Sequence, residues 1–193
     1  DTGQNIVSLI CEYGSSNMLQ HLLKQHNAQA VVEMFASTLC KTKEWTPFLY
    51  AVRALNLSIL QFLCEQDTIA LFKKLCPNDK LNYFNDMLRV QYKLSQAPDA
   101  ISLAITMNSS NDHLVNKCIV LLLEKYHCKL KNVYHALTSA LSQGHIEKTM
   151  ITLLDTFCLS ESNRNEKHTM YDGLLKKAIS CACSHEIISK LCQ

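Results

Sequence analysis

The chain's capacity for chemistry rests mainly on ten cysteines and eight histidines, some of which are close together in the sequence. Cys181, Cys183 and His185 follow one another at alternate positions, and His127 adjoins Cys128. Thiolates and imidazoles bind zinc, and a thiolate also serves as the nucleophile of many hydrolases and transferases. The sequence therefore has to be weighed for both kinds of site.

The spacing of these residues does not favour zinc. Structural zinc sites usually combine one C-x-x-C step with a second matching step, whereas the Cys-x-Cys-x-His run stands alone on an expected helix. The sequence has no glycine-rich phosphate loop and no H-E-x-x-H motif, and no motif frames a cysteine as a nucleophile. We expect no metal, no cofactor and no catalytic residue. A cysteine-dependent hydrolase or transferase domain is the alternative function.

Six of the cysteines lie within apolar stretches of helical character, and we interpret them as reduced core residues. They are Cys11, Cys40, Cys64, Cys118, Cys158 and Cys192. A chain of 193 residues can bury a core without disulfides. This interpretation predicts a reducing, cytosolic location.

The composition excludes several other classes of protein. Only four glycines and three prolines interrupt a chain that is 48% apolar, which favours helices over β-hairpins. The 19 basic residues barely exceed the 17 acidic ones, so nucleic acid is not an expected partner. The longest apolar runs, such as residues 118–123, are far shorter than the roughly 18 residues that span a bilayer, so no membrane insertion is expected.

The helices that would position a functional site follow a pattern that recurs along the chain. Residues 3–23 and 45–64 share an order of helix cap, apolar helix, loop and second apolar helix. Thr46 is suited to cap the first helix of the second segment, Pro47 to its first turn, and Ala51 to a close approach between helices. The pairs Ile59-Leu60 and Leu63-Cys64 then form one stripe on the second helix.

This pattern resembles the ankyrin repeat, in which Thr-Pro-Leu-His opens a helix with two small residues, Gly-His follows in a loop, and a Val-Val-x-x-Leu-Leu helix ends the unit. Gly144-His145 fits the loop position, where His145 is expected to brace the stack, whereas Phe48-Leu49 departs from the family's Leu-His. The resemblance implies an all-α solenoid of about five irregular ankyrin-like helix-loop-helix repeats, forming a single domain over residues 1–193.

The repeat units are expected near residues 3–38, 44–66, 98–126, 132–158 and 171–193, with an inserted helical segment or an unrecognised repeat at 67–97. Asn5, Asp99, His135 and Gly173 take the position of Thr46 in the other units. Every step exceeds the roughly 33 residues of an ideal ankyrin repeat. The excess is expected in the connections, which include a solvated loop over residues 160–168.

The resemblance also implies which residues face a partner, because ankyrin stacks bind other proteins through their concave face and fingers. The contact positions carried over are Gln4, Glu12, Tyr13, Trp45, Arg53, Thr106, Met107, Tyr134, Ser142 and Gln143. Trp45 is the leading candidate for an interface anchor, although packing of the finger explains this tryptophan equally well. The positions with a structural role in the repeat are Gly3, Gly14, Thr46, Pro47, Ala51, Ala104, Ala140, Gly144 and His145.

We therefore expect a protein-protein interaction module that works as a monomer. Divergent repeats with long connections and many Lys, Asn, Gln and Ser residues resemble host-directed effectors that intracellular bacteria secrete into eukaryotic cells. That resemblance implies a eukaryotic host protein as the partner. A eukaryotic cytosolic ankyrin domain or a viral host-range protein would have a similar composition. The start at Asp1, with no signal peptide in view, leads us to expect a piece of a longer protein.

Overall fold

The computed structural model of the chain describes residues 5–25, 27–36, 46–75, 100–107, 110–126, 130–143, 147–159 and 164–192. These residues form twelve α-helices, and no β-strand occurs among them. The prediction of an all-α protein is confirmed. The chain divides into two compact units, Asp1–Ala100 and Ile101–Gln193. No helix in the described ranges is both long and apolar enough to cross a membrane.

The first unit contains two successive sets of three helices. The first triplet consists of α1 (Ile6–Tyr13), α2 (Ser16–Gln25) and α3 (Ala28–Ala36). The second triplet consists of α4 (Pro47–Arg53), α5 (Leu57–Leu63) and α6 (Gln66–Leu75). Each helix packs on its counterpart, since α1 contacts α4, α2 contacts α5 and α3 contacts α6.

The two triplets share one register over their first two helices. The side chain of Asn5 accepts a hydrogen bond from the Ser8 amide at 2.8 Å, and Thr46, which lies 41 positions later, accepts one from the Leu49 amide at 3.4 Å. Both are N-caps, which supply an oxygen to amides that have no partner within the helix. Pro47 follows Thr46 as the first helical residue, as predicted.

Each triplet has a third helix in addition to the expected helix-loop-helix unit. In α3 the apolar residues Val31, Val32 and Phe35 are buried, at the i, i+1, i+4 spacing of a core-facing stripe. Phe35 meets Phe72 of α6 edge to face, with ring centroids 5.4 Å apart. The α3–α6 contact therefore extends the core of the first unit beyond the two helices that the sequence pattern indicated.

The boundary between the units falls after the first residue of α7 (Ala100–Met107). The second unit contains the rest of α7 together with α8 (Asp112–Tyr126), α9 (Leu130–Gln143), α10 (Glu147–Leu159), α11 (Arg164–Ser180) and α12 (His185–Leu191). Here the contacts connect helices two places apart. The α8 and α12 helices both pack on α10, and α9 packs on α11, while α9 contacts α10 and α11 contacts α12. The second unit is thus a stack of helix pairs.

Three expectations about the second unit are wrong. His135 and Gly173 are not helix caps, because they lie inside α9 and α11. Residues 164–168 of the expected solvated loop belong to α11, and residues 160–163 lie outside the described residues. The Cys-x-Cys-x-His run is not on one helix, since Cys181 and Ala182 form a turn after α11 and His185 begins α12.

Candidate protein-binding surface

Large apolar side chains are exposed at a few places in the described helices, and most of them lie in the first triplet. Ile6, Leu9 and Tyr13 belong to α1, and Met18 to α2. The exposed fraction of Tyr13 is 76%, the largest of this group. The second unit contributes Met107 and Ile179. Contiguous exposed apolar side chains mark protein interaction surfaces more often than isolated ones do.

The α1 helix divides sharply into two faces. Ile6, Leu9 and Tyr13 are spaced i, i+3 and i+7, so they share one side of the helix. Val7 and Cys11 lie on the other side and are completely buried. The outer face of α1 thus carries three large apolar side chains. The sequence analysis identified only Tyr13, although the i, i+3, i+7 spacing was a visible signal for the other two residues.

Two of the predicted contact residues are paired with each other. The guanidinium of Arg53 lies 3.5 Å from a carboxylate oxygen of Glu12, and the Glu12 side chain is only 5% exposed. Glu12 and Arg53 are 41 positions apart and occupy the same place in α1 and α4. Glu12 thus forms its ion pair with a residue of the second triplet. Tyr13 remains as the exposed residue at the end of α1.

The turn after α1 depends on a close approach of the backbone. The amide of Gly14 donates to the carbonyl oxygen of Ile10 at 2.8 Å. A Cβ atom at Gly14 would lie 2.8 Å from that same oxygen, which is closer than real Cβ atoms come. Across the triplets, the side-chain Nδ2 of Asn56 donates to the carbonyl oxygens of Cys11 at 3.1 Å and Gly14 at 2.9 Å. This link fixes the end of α1, and with it the position of Tyr13.

The other structural positions of the predicted repeat that lie in the described residues are buried. Thr46, Pro47 and Ala51 are in the core of the first unit, and Ala104 and Ala140 are completely buried in the second. The remaining predicted residues of either kind lie outside the described residues, namely Gly3, Gln4, Trp45, Gly144 and His145. The Gln143 backbone ends α9, and its side chain also lies outside.

In the second unit the predicted contact residues lie at or near the ends of helices, and two of them bond to their own helix. The Thr106 hydroxyl donates to the Ser102 carbonyl at 2.9 Å, and the Ser142 hydroxyl donates to the Thr138 carbonyl at 3.1 Å. Met107 is exposed beside Thr106. Tyr134 is half-buried and contacts the His135 ring edge to face at 5.9 Å. Of these four residues, Met107 presents the largest free apolar surface.

A set of polar bonds between helices of the second unit was missed from the sequence. One carboxylate oxygen of Asp112 accepts from the Thr149 hydroxyl at 2.7 Å and from the Thr149 amide at 3.1 Å. The other accepts from the Lys148 amide at 3.0 Å. Asp112 in α8 therefore caps α10, a helix to which it does not belong. Its only sequence signal was an acidic residue in the first turn of α8.

The same kind of contact recurs one helix pair later. The Glu147 carboxylate of α10 accepts a hydrogen bond from the hydroxyl of Ser184, the N-cap of α12. Asp155 of α10 then pairs with Lys190 of α12, with 2.6 Å between oxygen and nitrogen. These bonds connect α8 to α10 and α10 to α12.

Two thiols are buried in the core, as predicted. Burial raises the pKa of Cys11 far above its usual range and raises the pKa of Cys118 to about 12. A thiol with a raised pKa is a poor nucleophile, because the thiolate is the reactive form. The prediction is wrong for Cys192, which is exposed just after α12, and Cys64 is half-buried. Cys40 and the side chain of Cys158 lie outside the described residues.

The Cys181–Cys183 turn is a weak site for chemistry. Desolvation raises the pKa of the Cys183 thiol, and the nearby Cys181 and Glu147 raise it further because negative charges disfavour a thiolate. In the part of the chain that the structure describes, no group of three or more His, Cys, Asp or Glu side chains is arranged to hold a metal ion.

Comparison with known proteins adds no assignment, since no family model, no curated protein and no solved structure matches the chain.

Proposed function

We propose that this chain is a protein-protein interaction module built from irregular ankyrin-like repeats, and that it binds a partner protein through the surface around Tyr13. The observation that carries the proposal is the 76% exposed fraction of Tyr13 at a helix end to which the Asn56 side chain donates two hydrogen bonds. Tyrosine is among the residues that contribute most to protein interfaces, because it offers a large contact area at a small entropic cost.

The arrangement of the first unit supports the repeat assignment. The caps Asn5 and Thr46 lie in one register, and α1 and α2 pack on their counterparts α4 and α5. Repeats that stack in this way form extended surfaces from the ends of equivalent helices. In the second unit Met107, at the end of α7, is the comparable exposed residue. We propose Met107, Thr106 and Ser142 as contact residues of the second unit taken by itself.

The partner that we propose is a eukaryotic host protein, met in a reducing compartment. The buried thiols Cys11 and Cys118 fit such a compartment, since both are free in the structure. An enzyme that used either thiol would need it as a thiolate, and burial works against this form. We therefore place binding ahead of a cysteine-dependent hydrolase or transferase.

A quantitative capture experiment tests this function. The full chain, Tyr13→Ala and Gln61→Ala are used as baits for isotope-labelled eukaryotic cell lysate, and retained proteins are compared by mass spectrometry. Gln61 is exposed on α5 and serves as the matched control. We expect a partner that the chain and Gln61→Ala retain equally and that Tyr13→Ala loses at least about tenfold, which corresponds to about 1.4 kcal/mol. Equal retention by Tyr13→Ala would contradict the proposed surface.

A further inference from the structure

The turn between α11 and α12 brings two thiols close together. The amide of Ala182 donates to the Ile179 carbonyl at 3.1 Å, and the amide of Cys183 donates to the Ala178 carbonyl at 3.0 Å. With a φ of 51° at Ala182, these two bonds form a Schellman turn in which Ala182 is the left-handed residue. Cys181 and Cys183 are its two neighbours, and both thiols are free.

The backbone of this turn has the dimensions of a disulfide site. A residue in the left-handed helical region keeps the Cα atoms of its two neighbours about 5.4 Å apart, which is the i, i+2 spacing of a helix. Disulfides usually join Cα atoms that are about 4.4–6.8 Å apart. The folded chain therefore already holds Cys181 and Cys183 within the separation that a disulfide requires.

The turn does not itself require thiols at these two places. The turn after α4 has the same pair of hydrogen bonds around Leu55, whose φ is 50°. In that turn the positions of Cys181 and Cys183 are taken by Ala54 and Asn56. Core packing does not account for the two thiols either, because both are only half-buried, unlike the two completely buried thiols described above.

We propose that Cys181 and Cys183 form a reversible oxidation site, at which glutathione disulfide converts the two thiols into one intramolecular disulfide. This site goes beyond the proposed binding function and does not depend on it. In a reducing compartment the pair is a dithiol at rest. Disulfides of cytosolic proteins are usually transient and form in response to oxidants.

The reaction consists of two thiol–disulfide exchanges. The Cys181 thiolate attacks one sulfur of glutathione disulfide, so the glutathione S–S bond breaks, a mixed disulfide forms and one glutathione thiolate leaves. The Cys183 thiolate then attacks the Cys181 sulfur of the mixed disulfide and displaces the second glutathione thiolate. The two protein thiols lose two electrons and two protons, and glutathione disulfide gains them as two molecules of reduced glutathione.

The surroundings of Cys183 favour the disulfide over the dithiol. Burial raises the pKa of the Cys183 thiol, and the nearby Cys181 and Glu147 raise it further. A disulfide is neutral, so these surroundings penalise the thiolate that reduction releases and leave the oxidised form unaffected. A protonated thiol does not attack, so we assign to Cys183 the second, intramolecular step, in which the proximity of its target compensates for a small thiolate fraction.

The test measures one tryptic peptide. Cleavage after Lys177 and Lys190 releases residues 178–190, which contain Cys181 and Cys183 and no other cysteine. The full chain is equilibrated with defined ratios of reduced and oxidised glutathione, the remaining thiols are alkylated, and the peptide is quantified by mass spectrometry. A synthetic peptide of residues 178–190, treated in the same buffers, is the reference without the packing of the second unit.

We expect the peptide from the full chain to lose two hydrogens and to regain them in excess reduced glutathione. Its equilibrium constant for oxidation should exceed that of the synthetic peptide at least about tenfold, because the folded turn holds the two thiols together. Equal equilibrium constants for the full chain and the synthetic peptide would overturn the proposal. A glutathionyl group that persists on this peptide, or a cross-link from it to another peptide, would overturn it as well.

Single variants show that both thiols are needed. In Cys181→Ser and in Cys183→Ser we expect residues 178–190 to carry a glutathionyl group in place of the internal disulfide. Cys192→Ser is the matched control, because this exposed cysteine lies outside the peptide, and it should leave the equilibrium constant within about twofold. Tyr13 takes no part in this chemistry, so failure of the oxidation test would leave the proposed binding function standing.

Discussion

Glu12 and Arg53 form an ion pair between equivalent positions of two successive helix triplets, with 3.5 Å between carboxylate oxygen and guanidinium nitrogen. Sequence analysis placed both residues at contact positions for a partner. The carboxylate of Glu12 is almost completely buried, so its charge has to be compensated within the protein. The pair therefore makes the stacking of α4 on α1 specific, and it fixes the helix end from which Tyr13 projects.

Removal of the arginine alone is expected to lower the free energy of unfolding more than removal of both charges does. Arg53→Met leaves a buried carboxylate without its cation and should lower the free energy of unfolding by about 2 kcal/mol. Glu12→Gln combined with Arg53→Met should recover at least about 1 kcal/mol of this loss. Urea unfolding of the two single variants and the double variant gives the coupling energy. Strictly additive effects would show that the two charges do not interact.

The start of a helix could be predicted where a capping side chain directly precedes an apolar helix. Asn5 and Thr46-Pro47 satisfy this condition, and both are observed caps. The prediction failed at Gly173, which was assigned the capping position of Thr46 in the last unit although it lies within α11. A Cβ atom there would lie 3.0 Å from the Tyr134 hydroxyl, so this glycine permits a close contact between α11 and α9.

The candidate surface could be predicted only in part, because apolar residues have the same pattern whether a neighbouring helix covers them or not. Leu9 and Tyr50 occupy equivalent positions, and only the packing of whole helices decides that the first is exposed and the second buried. Bonds such as the one between Asp112 and Thr149 join residues 37 positions apart in different helices. No local signal identifies such a partner.

The capping of α10 by Asp112 is expected to make this carboxylate important for the second unit. Asp112→Ala removes the acceptor of three hydrogen bonds and should lower the free energy of unfolding by about 2 kcal/mol. Asp112→Asn should lose less, since an amide oxygen can still accept. Asp172→Ala is the control, because its pair with Lys176 lies on the surface and should be worth less than about 0.5 kcal/mol. Equal losses for Asp112→Ala and Asp172→Ala in chemical unfolding would contradict the capping role.

The buried thiol of Cys118 predicts a loss of stability in alkali. Its pKa is raised to about 12, so the folded state holds the thiol proton at pH values where the unfolded chain has released it. The stabilisation that the protonated thiol gives the folded state is fully present below the unfolded-state pKa of about 8.5. As the pH rises from there toward the folded-state pKa, the free energy of unfolding falls by about 1.4 kcal/mol per pH unit.

The measurement compares the original chain with Cys118→Ala. The variant is expected to have the lower free energy of unfolding at about pH 8, because it loses buried contacts. The difference in free energy of unfolding between the two proteins should shrink by about 1–2 kcal/mol at about pH 10. Cys192→Ala, at an exposed position, is the control and should show no such change. A difference between Cys118→Ala and the original chain that stays constant over this pH range would contradict the assignment.

Two turns in the chain adopt the same unusual backbone conformation, and they are expected to respond in opposite ways to glycine. Leu55 and Ala182 have φ angles of 50° and 51°, in the left-handed region that favours glycine. In both turns the backbone amide of the next residue donates to a helix carbonyl, from Asn56 to Ala51 at 2.9 Å and from Cys183 to Ala178 at 3.0 Å.

Ala182 is exposed, so Ala182→Gly removes backbone strain without loss of packing and should raise the free energy of unfolding by about 1 kcal/mol. Leu55 is buried, so Leu55→Gly should lower it by about 2 kcal/mol because the lost burial outweighs the relieved strain. Thermal and urea unfolding of both variants checks the pair, and a destabilised Ala182→Gly would show that the left-handed residue carries no strain at this turn.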